Sequence, residues 1–529
     1  MSGPSKRAKT VSTNENASPA SPGASTAQKQ CLQNIDLLEM ILRANYDPSL
    51  RPSRVSLLSV GLACKSFTPT AVRLLWEQIP SLVPLMRLLR NFSLNEDIML
   101  WELNGIIRDA DWQLFDRYAA YVRVVDYTYS SSSSMPVQGA VYLRLAMRKQ
   151  PLLPNLQRLV FTGMTSKPYN DGELLLYLSP SINSLTLASG YTSTAQTFLE
   201  LLAQQSPHIE KLSLSGAREL VGLDAVFKGL RTLDLKTIRE PLTTADLQVV
   251  GGIPDLRVFS TDLVMWDAIQ FELIPHDTLF LSLSELNVKS TRKAMYRIVP
   301  AFLLTIGAPA LKRLDVLLSR DSYQDRVDTS QHPAAFRTLG SRLVSRWATS
   351  LEYLSLNGMS LHSIDDFPFI SGLTSLRTLH LHRLLTQGTS LSDGNVLTVV
   401  RTWPVLETLT FAEGHGDADI AFFQALAEHC PALRVLHVPF TPTRNMVPEI
   451  PRGGAPPKAH GLRELRLSAA HSASGYSWDG VDLHLLARHL DRMFKDLVVI
   501  QGEEYRGRWS EVGKLVMMCQ EVRQTTWAA

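Results

Sequence analysis

Three places in the chain carry side chains that could ligate a metal ion. Residues 414–419 combine one histidine with two aspartates, His380 and His382 lie two residues apart, and His429 precedes Cys430. A zinc site usually needs three or four protein ligands, so two histidines on one strand are too few. A glycine-rich connecting loop explains 414–419 more simply, and a histidine at a helix end favours the negative pole of the helix dipole. The sequence therefore predicts no metal ion and no cofactor.

The sequence contains no motif for covalent catalysis or for phosphate binding. It has no Gly-x-Ser-x-Gly nucleophile elbow and no glycine-rich loop that ends in Lys-Ser or Lys-Thr. The four cysteines, Cys31, Cys64, Cys430 and Cys519, are far apart and lack paired spacing. Such spacing is typical of a reducing compartment and not of a disulfide framework. We therefore expect a protein that is not an enzyme.

Length and charge narrow the class of protein further. A chain of 529 residues with a net charge of +3 exceeds the usual single-core limit of about 250–300 residues. It holds several domains, or it grows in one dimension as repeat proteins do. The near-neutral charge gives no reason to expect nucleic acid or a membrane surface as partner. No apolar run reaches the roughly 18 residues that span a bilayer, and the polar N-terminus predicts no secretory signal.

One short pattern organises most of the chain. The hexad at residues 156–161 reads apolar–x–x–apolar–x–apolar, and variants of it return at intervals of about 25–30 residues. Helical runs such as 197–203 and 421–427 lie between the hexads, and a proline often stops the helix before the next hexad. This periodicity predicts an α/β solenoid, an irregular leucine-rich-repeat arc with a parallel sheet. The hexads begin at Val122, Leu156, Ile182, Ile209, Leu230, Leu256, Leu283, Leu311, Leu351, Leu376, Leu406, Leu433 and Leu462.

The hexad also predicts which side chains a partner would meet. Side chains alternate along a strand, so the last two apolar residues, such as Leu159 and Phe161, should enter the core. The third and fifth residues should form two columns on the concave face. Their mixed charge and size suit a protein ligand, since nucleic acid would favour a basic stripe with aromatic residues; the alternative is that many are only solvated. The candidate partner-binding residues are Arg158, Lys211, Asp234, Glu285, Arg313, Tyr353, His380, His437 and Arg466.

The chain divides into three parts by composition. Residues 1–29 lack large apolar groups and should be disordered; their basic run at 6–9 is either a nuclear-import signal or a solvated tail. Residues 30–90 predict a compact block of about three helices. Residues 91–528 predict the solenoid, with long insertions at 321–332 and 441–460 and a capping helix at 509–522. Three tryptophans outside the hexads, Trp266, Trp347 and Trp403, should serve core or edge packing before partner contact.

The helical block resembles an F-box. Residues 34–42, 57–67 and 74–76 match the apolar positions and spacing of the family pattern LPxELLxxIL … LLxxxLVCKxW … LW. Two positions depart from the pattern, because Asn34-Ile35 replaces Leu-Pro and Phe67 replaces tryptophan. Residues 111–127, a helix that runs into a strand, resemble the segment that leads into the repeats of fungal F-box proteins with irregular leucine-rich repeats.

The resemblance implies the substrate-receptor subunit of an SCF-type cullin–RING ubiquitin ligase. The block would dock on a Skp-type adaptor, and the repeats would hold a target protein near the other subunits. The missing Leu-Pro leaves an alternative open, a non-degradative leucine-rich-repeat interaction scaffold with a degenerate F-box. Either protein would work in the cytoplasm, the nucleus or both. The adaptor-binding residues that the resemblance implies are Ile35, Leu38, Ile41, Leu58, Cys64, Phe67 and Trp76, of which several could form the block's own core.

Overall fold

In a computed structural model, the chain forms two compact units. The first ends at Phe92 and resumes over Gly105–Asp126, while the second comprises Ser93–Asn104 and the chain from Tyr127 onward. Gly105–Asp126 thus packs with the helical block, beyond the 30–90 domain expected from the sequence. The structure describes residues 34–128, 135–148, 150–162, 171–188, 193–206, 208–216, 227–236, 243–263, 271, 274–290, 292–318, 332–357, 368–382, 400–412, 418–440, 460–468, 482–502 and 506–528.

Several sequence expectations lie outside these described residues. They are the disordered tail, its basic run at 6–9, Trp266, and most of the two long insertions. Of the histidine–aspartate segment at 414–419, only Ala418 and Asp419 are described.

Helices dominate the first unit. The first helix begins after Asn34, whose side chain accepts hydrogen bonds from the backbone amides of Asp36 and Leu37, which is the usual role of an N-cap asparagine. The second carries Pro52 in its first turn, where a proline costs no helical hydrogen bond. The elements up to residue 128 are, in chain order, α1 (Ile35–Ala44), α2 (Arg51–Ala63), α3 (Thr68–Glu77), β1 (Gln78–Ile79), α4 (Val83–Met86), β2 (Phe92–Asn95), β3 (Leu100–Leu103), α5 (Asp109–Ala119) and β4 (Val124–Thr128).

A small apolar core and ion pairs hold the first three helices together. Its buried members come from all three: Leu38, Leu42, Leu57, Ala71 and Leu74. Arg43 of α1 also pairs with Glu77 of α3, with Nη2 2.8 Å from Oε2, and Glu39 of α1 pairs with Arg73 of α3. These contacts fix α1 on α3. Strand β1, which follows α3 directly, pairs in parallel with β4.

The hexads form the strands of the second unit. From β5 to β17, each strand pairs in parallel with its neighbours in chain order, so the predicted α/β solenoid with a parallel sheet is confirmed. The strands are β5 (Arg158–Thr162), β6 (Ser184–Ala188), β7 (Lys211–Ser215), β8 (Thr232–Lys236), β9 (Val258–Asp262), β10 (Glu285–Ser290), β11 (Arg313–Leu318), β12 (Tyr353–Asn357), β13 (Thr378–His382), β14 (Thr408–Ala412), β15 (Val435–Pro439), β16 (Glu464–Ser468) and β17 (Val499–Gly502).

Helices connect these strands, as parallel pairing requires. Their lengths range from 4 residues in one connection to 16 in another, so the repeats are irregular, as the uneven hexad spacing predicts. The helices are α6 (Gly139–Ala146), α7 (Asp171–Leu175), α8 (Ser193–Gln205), α9 (Thr244–Gly251), α10 (Arg292–Thr305), α11 (His332–Trp347), α12 (Pro368–Ser371), α13 (Ile420–His429), α14 (Leu483–Met493) and α15 (Arg506–Ala528), with a 3-10 turn at Phe227–Gly229.

The core of the solenoid lies on the side of the sheet that the hexad pattern predicts. Leu159 and Phe161 are buried, and the leucines of later hexads repeat this burial. Trp347 and Trp403 are also buried, and their indole nitrogens donate to the carbonyls of Ala308 (2.7 Å) and Ile370 (3.2 Å). The expectation that these two tryptophans serve packing is therefore confirmed.

The closing helix lies against the last repeat. Gln520 Nε2 donates to the carbonyl of Leu497 at 2.9 Å, and Arg523 Nη1 lies 2.6 Å from Asp491 Oδ1. Gly502 permits this approach, because a Cβ there would lie 1.9 Å from Cδ1 of Trp509. The helix expected at 509–522 is present and extends further at both ends.

One carboxyl group is buried in the core of the second unit. Glu173 is 2% exposed and accepts hydrogen bonds from the hydroxyls of Tyr142 at 2.9 Å and Tyr177 at 2.7 Å. Burial raises the pKa of Glu173, because the low-polarity surroundings disfavour the charged form. Two tyrosine donors to a buried carboxyl group fit a packing role.

Glu173→Gln should raise thermal stability at alkaline pH. The raised pKa of Glu173 means that its contribution to stability is complete below the unfolded-state pKa, about 4.3, and is lost as pH rises through the folded-state pKa. Glutamine does not titrate, so the variant should melt a few degrees above wild type at pH 8, with a smaller difference at pH 4. Thermal unfolding of both proteins across this range measures the effect. A difference that stays constant with pH would contradict the titration of Glu173.

Candidate functional site

The third and fifth residues of the hexads form one continuous surface, which we call the open face. It is the side of the sheet opposite the buried leucines. Strand pairing aligns Arg313 with Tyr353 and His380 with Thr410, and the same register continues along the other strands. The structure thus brings all nine sequence-predicted partner-binding residues to this face, each exposed or half-buried: Arg158, Lys211, Asp234, Glu285, Arg313, Tyr353, His380, His437 and Arg466.

Three of these side chains pack together near the middle of the open face. The guanidinium carbon of Arg313 lies 3.7 Å from the centre of the Tyr353 ring, a cation–π contact. The His380 ring meets the Tyr353 ring edge-on at 5.4 Å. Burial and the neighbouring His382 lower the pKa of His380, so this imidazole is neutral at pH 7. Tyrosine and arginine are enriched among the residues that dominate interface energetics.

A cleft of about 440 Å³ lies beside this cluster. Ser260 and Asn287 line it, and Asn287 Nδ2 donates to Ser260 Oγ at 3.1 Å. Lys236 Nζ lies 2.7 Å from Asp234 Oδ2, and Lys289 Nζ lies 3.9 Å from Asp262 Oδ2. The lysines already face carboxylates, and Asp315 adds a third carboxylate to the lining. The cleft therefore carries both signs with a slight excess of negative charge, which suits a polar protein surface better than a phosphate group.

The seven residues implied for adaptor binding fall into two groups. Ile35, Ile41 and Leu58 are 66%, 48% and 48% exposed, and the thiol of Cys64 is partly exposed. The others pack within the first unit, where Leu38 is buried and Phe67 and Trp76 are half-buried. Leu38 is in its core with Phe67 against it, and the Trp76 ring lies 4.8 Å from that of Tyr118.

Further exposed apolar residues lie on the same two helices. Met40 on α1 is 59% exposed. Val55 and Leu62 on α2 are 56% and 77% exposed, and with Leu58 they form a stripe at three- and four-residue spacing. Helix α2 buries Leu57 on its core side, so it is apolar on a second face that the described residues of its own unit do not cover. The sequence contains this signal, because a helix with one partner needs only one apolar stripe.

The described part of the chain gives little evidence of a metal site or of a membrane-spanning helix. No group of three or more histidines, cysteines, aspartates or glutamates there could hold a metal ion. Asp419 caps α13 by accepting a hydrogen bond from the amide of Phe422 at 2.8 Å, so it serves a structural purpose. Among the described helices, none is long and apolar enough to cross a membrane.

Comparison with known proteins adds only distant similarity. No protein-family model matches the sequence, and no curated protein matches it. The chain is similar to an internalin of Listeria monocytogenes, at 10% identity over 67% of this chain and 76% of that one, with a TM-score of 0.32. It is also similar to a leucine-rich-repeat protein of Leptospira interrogans, at 14% identity over 66% and 91% of the two chains, with a TM-score of 0.26. The fold assignment rests on the strand order and register of this chain.

Proposed function

We propose that this protein is the substrate-receptor subunit of an SCF-type cullin–RING ubiquitin ligase. The first unit docks on a Skp-type adaptor, and the open face holds a target protein. The observation that carries the proposal is the row of exposed apolar side chains on α1 and α2, within the segments that resemble an F-box. Exposed apolar patches of this kind mark interaction sites.

The energy available at this surface supports docking of a protein partner. Covering one large apolar side chain contributes roughly 1.5–3 kcal/mol. Ile35, Met40, Ile41, Leu58 and Leu62 are each about half exposed or more. Because these side chains are already partly covered, burying the rest of all five contributes roughly 4–9 kcal/mol. This gain offsets the lower part of the cost of association, about 4–15 kcal/mol, and polar contacts of the interface add to it.

The departure at Asn34-Ile35 is compatible with this reading. F-boxes begin their first helix with Leu-Pro, whereas here the Asn34 side chain caps the helix through two backbone amides. The helix therefore starts at the position that matches the family pattern, but an asparagine N-cap takes the place of Leu-Pro. The same departure removes a proline that family members present to their adaptor, which favours the second candidate, a non-degradative repeat scaffold.

Two features support a protein target on the open face. The Arg313–Tyr353–His380 cluster supplies rigid aromatic and cationic groups, and the adjacent cleft supplies polar groups of both signs. In the proposed role the chain performs no chemistry itself. It raises the effective concentration of the target near the catalytic subunits, in the cytoplasm or nucleus.

Co-purification tests this proposal directly. The tagged full-length protein is isolated at near-physiological salt and probed for Skp-type adaptor and cullin. Recovery of both supports the ligase subunit. Absence of both excludes it and leaves the scaffold, whose target partners would still co-purify.

A further inference from the structure

A second recess lies at the C-terminal end of the open face. Its volume is about 710 Å³, within the range of roughly 300–1,000 Å³ that is typical of ligand sites. The register of β15, β16 and β17 places His437, Arg466 and Gln501 side by side along it. The recess is therefore continuous with the surface proposed to hold the target protein.

Helix α15 supplies the opposite wall. Trp509, Gly513 and Met517 follow at intervals of four and so share one helical face, with Lys514 on the adjoining row. Met517 is 53% exposed, which leaves apolar surface open to a ligand. A Cβ on Gly513 would lie 3.8 Å from that of Ile500, so alanine fits there, whereas a longer side chain would extend into the recess.

The charge of the recess differs from that of the central cleft. Arg466 and Lys514 line it, and its described lining includes no aspartate or glutamate. Glu464 lies outside this lining and orients Arg466, with Nη2 and Nε each 2.7 Å from Oε1. The Glu464 carboxylate balances the charge of Arg466 but leaves Nη1 as a donor for a ligand. The exposed Lys514 then supplies the positive charge that no carboxylate of the described lining balances.

We propose that this recess binds an acidic segment of the target protein. A carboxylate of the segment pairs with Arg466 and Lys514, and a neighbouring apolar side chain packs on Met517, which lies exposed beside the buried ring of Trp509. This inference rests on the proposed role of the open face and adds the chemistry of the partner to it. The recess has a basic part and an apolar part. A segment with a carboxylate next to an apolar side chain matches both parts, whereas a purely apolar or a purely acidic peptide matches only one.

Selection from a phage-displayed library of random dodecapeptides on the purified full-length protein tests the proposal. Enriched peptides should carry aspartate or glutamate beside leucine, phenylalanine or methionine. Their affinity is then measured by fluorescence polarisation. Lys514→Glu should weaken binding about tenfold or more, because it reverses a charge that faces the carboxylate. Lys228→Glu, the same change at an exposed lysine of the 3-10 turn outside the open face, should leave it unchanged.

A second pair of variants tests the recess by volume alone. Gly513→Leu should weaken binding at least about tenfold by filling the space, whereas Gly513→Ala should stay within about twofold of wild type. Three outcomes would overturn the inference: enriched peptides without carboxylates, no enrichment at all, or Lys514→Glu and Gly513→Leu proteins that bind the peptides as tightly as wild type does. So would light scattering that shows a dimer dissociated by Lys514→Glu, since a second copy would then cover the recess. These outcomes are independent of adaptor co-purification, which tests the first unit.

Discussion

Aspartate at both Ile41 and Leu62 should remove the Skp-type adaptor from the purified protein while leaving the first unit folded. Ile41 is 48% and Leu62 is 77% exposed, so the aspartates remain solvated in the free protein. In the complex each would be buried without a partner, at a cost of several kcal/mol. We expect adaptor affinity to fall by more than about a hundredfold, measured by co-purification and by calorimetric titration with purified adaptor.

A matched control is available on the second unit. Leu143 and Met147 are 66% and 81% exposed and lie one helical turn apart, so Leu143→Asp with Met147→Asp makes the same chemical change elsewhere. This control should retain the adaptor. The docking assignment fails if the Ile41/Leu62 variant keeps the adaptor, or if the control loses it equally.

The choice of Ile41 and Leu62 illustrates what the sequence leaves undecided. Ile35, Leu38 and Ile41 fall at three-residue spacing, so the pattern alone makes them equivalent. The structure separates them, because Leu38 packs on α3 within the core whereas Ile35 and Ile41 face outward. Leu38→Asp would therefore unfold the unit and report nothing about docking.

The solenoid was far more predictable than the helical block. Each hexad buries two apolar side chains on one side of its strand, and a slip of one residue would expose both. Burial thus specifies the register, and residues such as Arg158, Lys211 and Tyr353 fall on the predicted face. The register of the strands is therefore predictable even where the packing of the connecting helices is not.

Contacts that depend on side-chain conformation could not be predicted in this way. The two columns place Arg313 near Tyr353, but only packing sets the 3.7 Å approach of guanidinium to ring. The recess at the C-terminal end likewise depends on how α15 lies along β17, which the close approach of Trp509 to Gly502 determines. Strands β2 and β3 carry no hexad and form their own two-stranded sheet, so the repeat pattern gave no indication of them.

Trp347→Ala should destabilise the solenoid by about 3–5 kcal/mol, the range for removing a large buried aromatic side chain. Trp347 is fully buried, and its indole nitrogen donates to the carbonyl of Ala308 at 2.7 Å. It therefore joins the end of α11 to the segment that precedes β11. Because each repeat of a solenoid contacts mainly its neighbours, the loss acts on the stability of this part of the array.

Trp347→Phe separates the two contributions of this residue. Phenylalanine keeps most of the packing but leaves the Ala308 carbonyl without its donor, a cost of about 1–3 kcal/mol. Urea unfolding should therefore rank wild type above Trp347→Phe and that variant above Trp347→Ala. Val405→Ala, at a position that is 40% exposed, should change stability by less than about 0.5 kcal/mol. Equal losses for the two Trp347 variants would mean that the hydrogen bond to Ala308, and not the packed ring, makes the larger contribution to stability at this point of the solenoid.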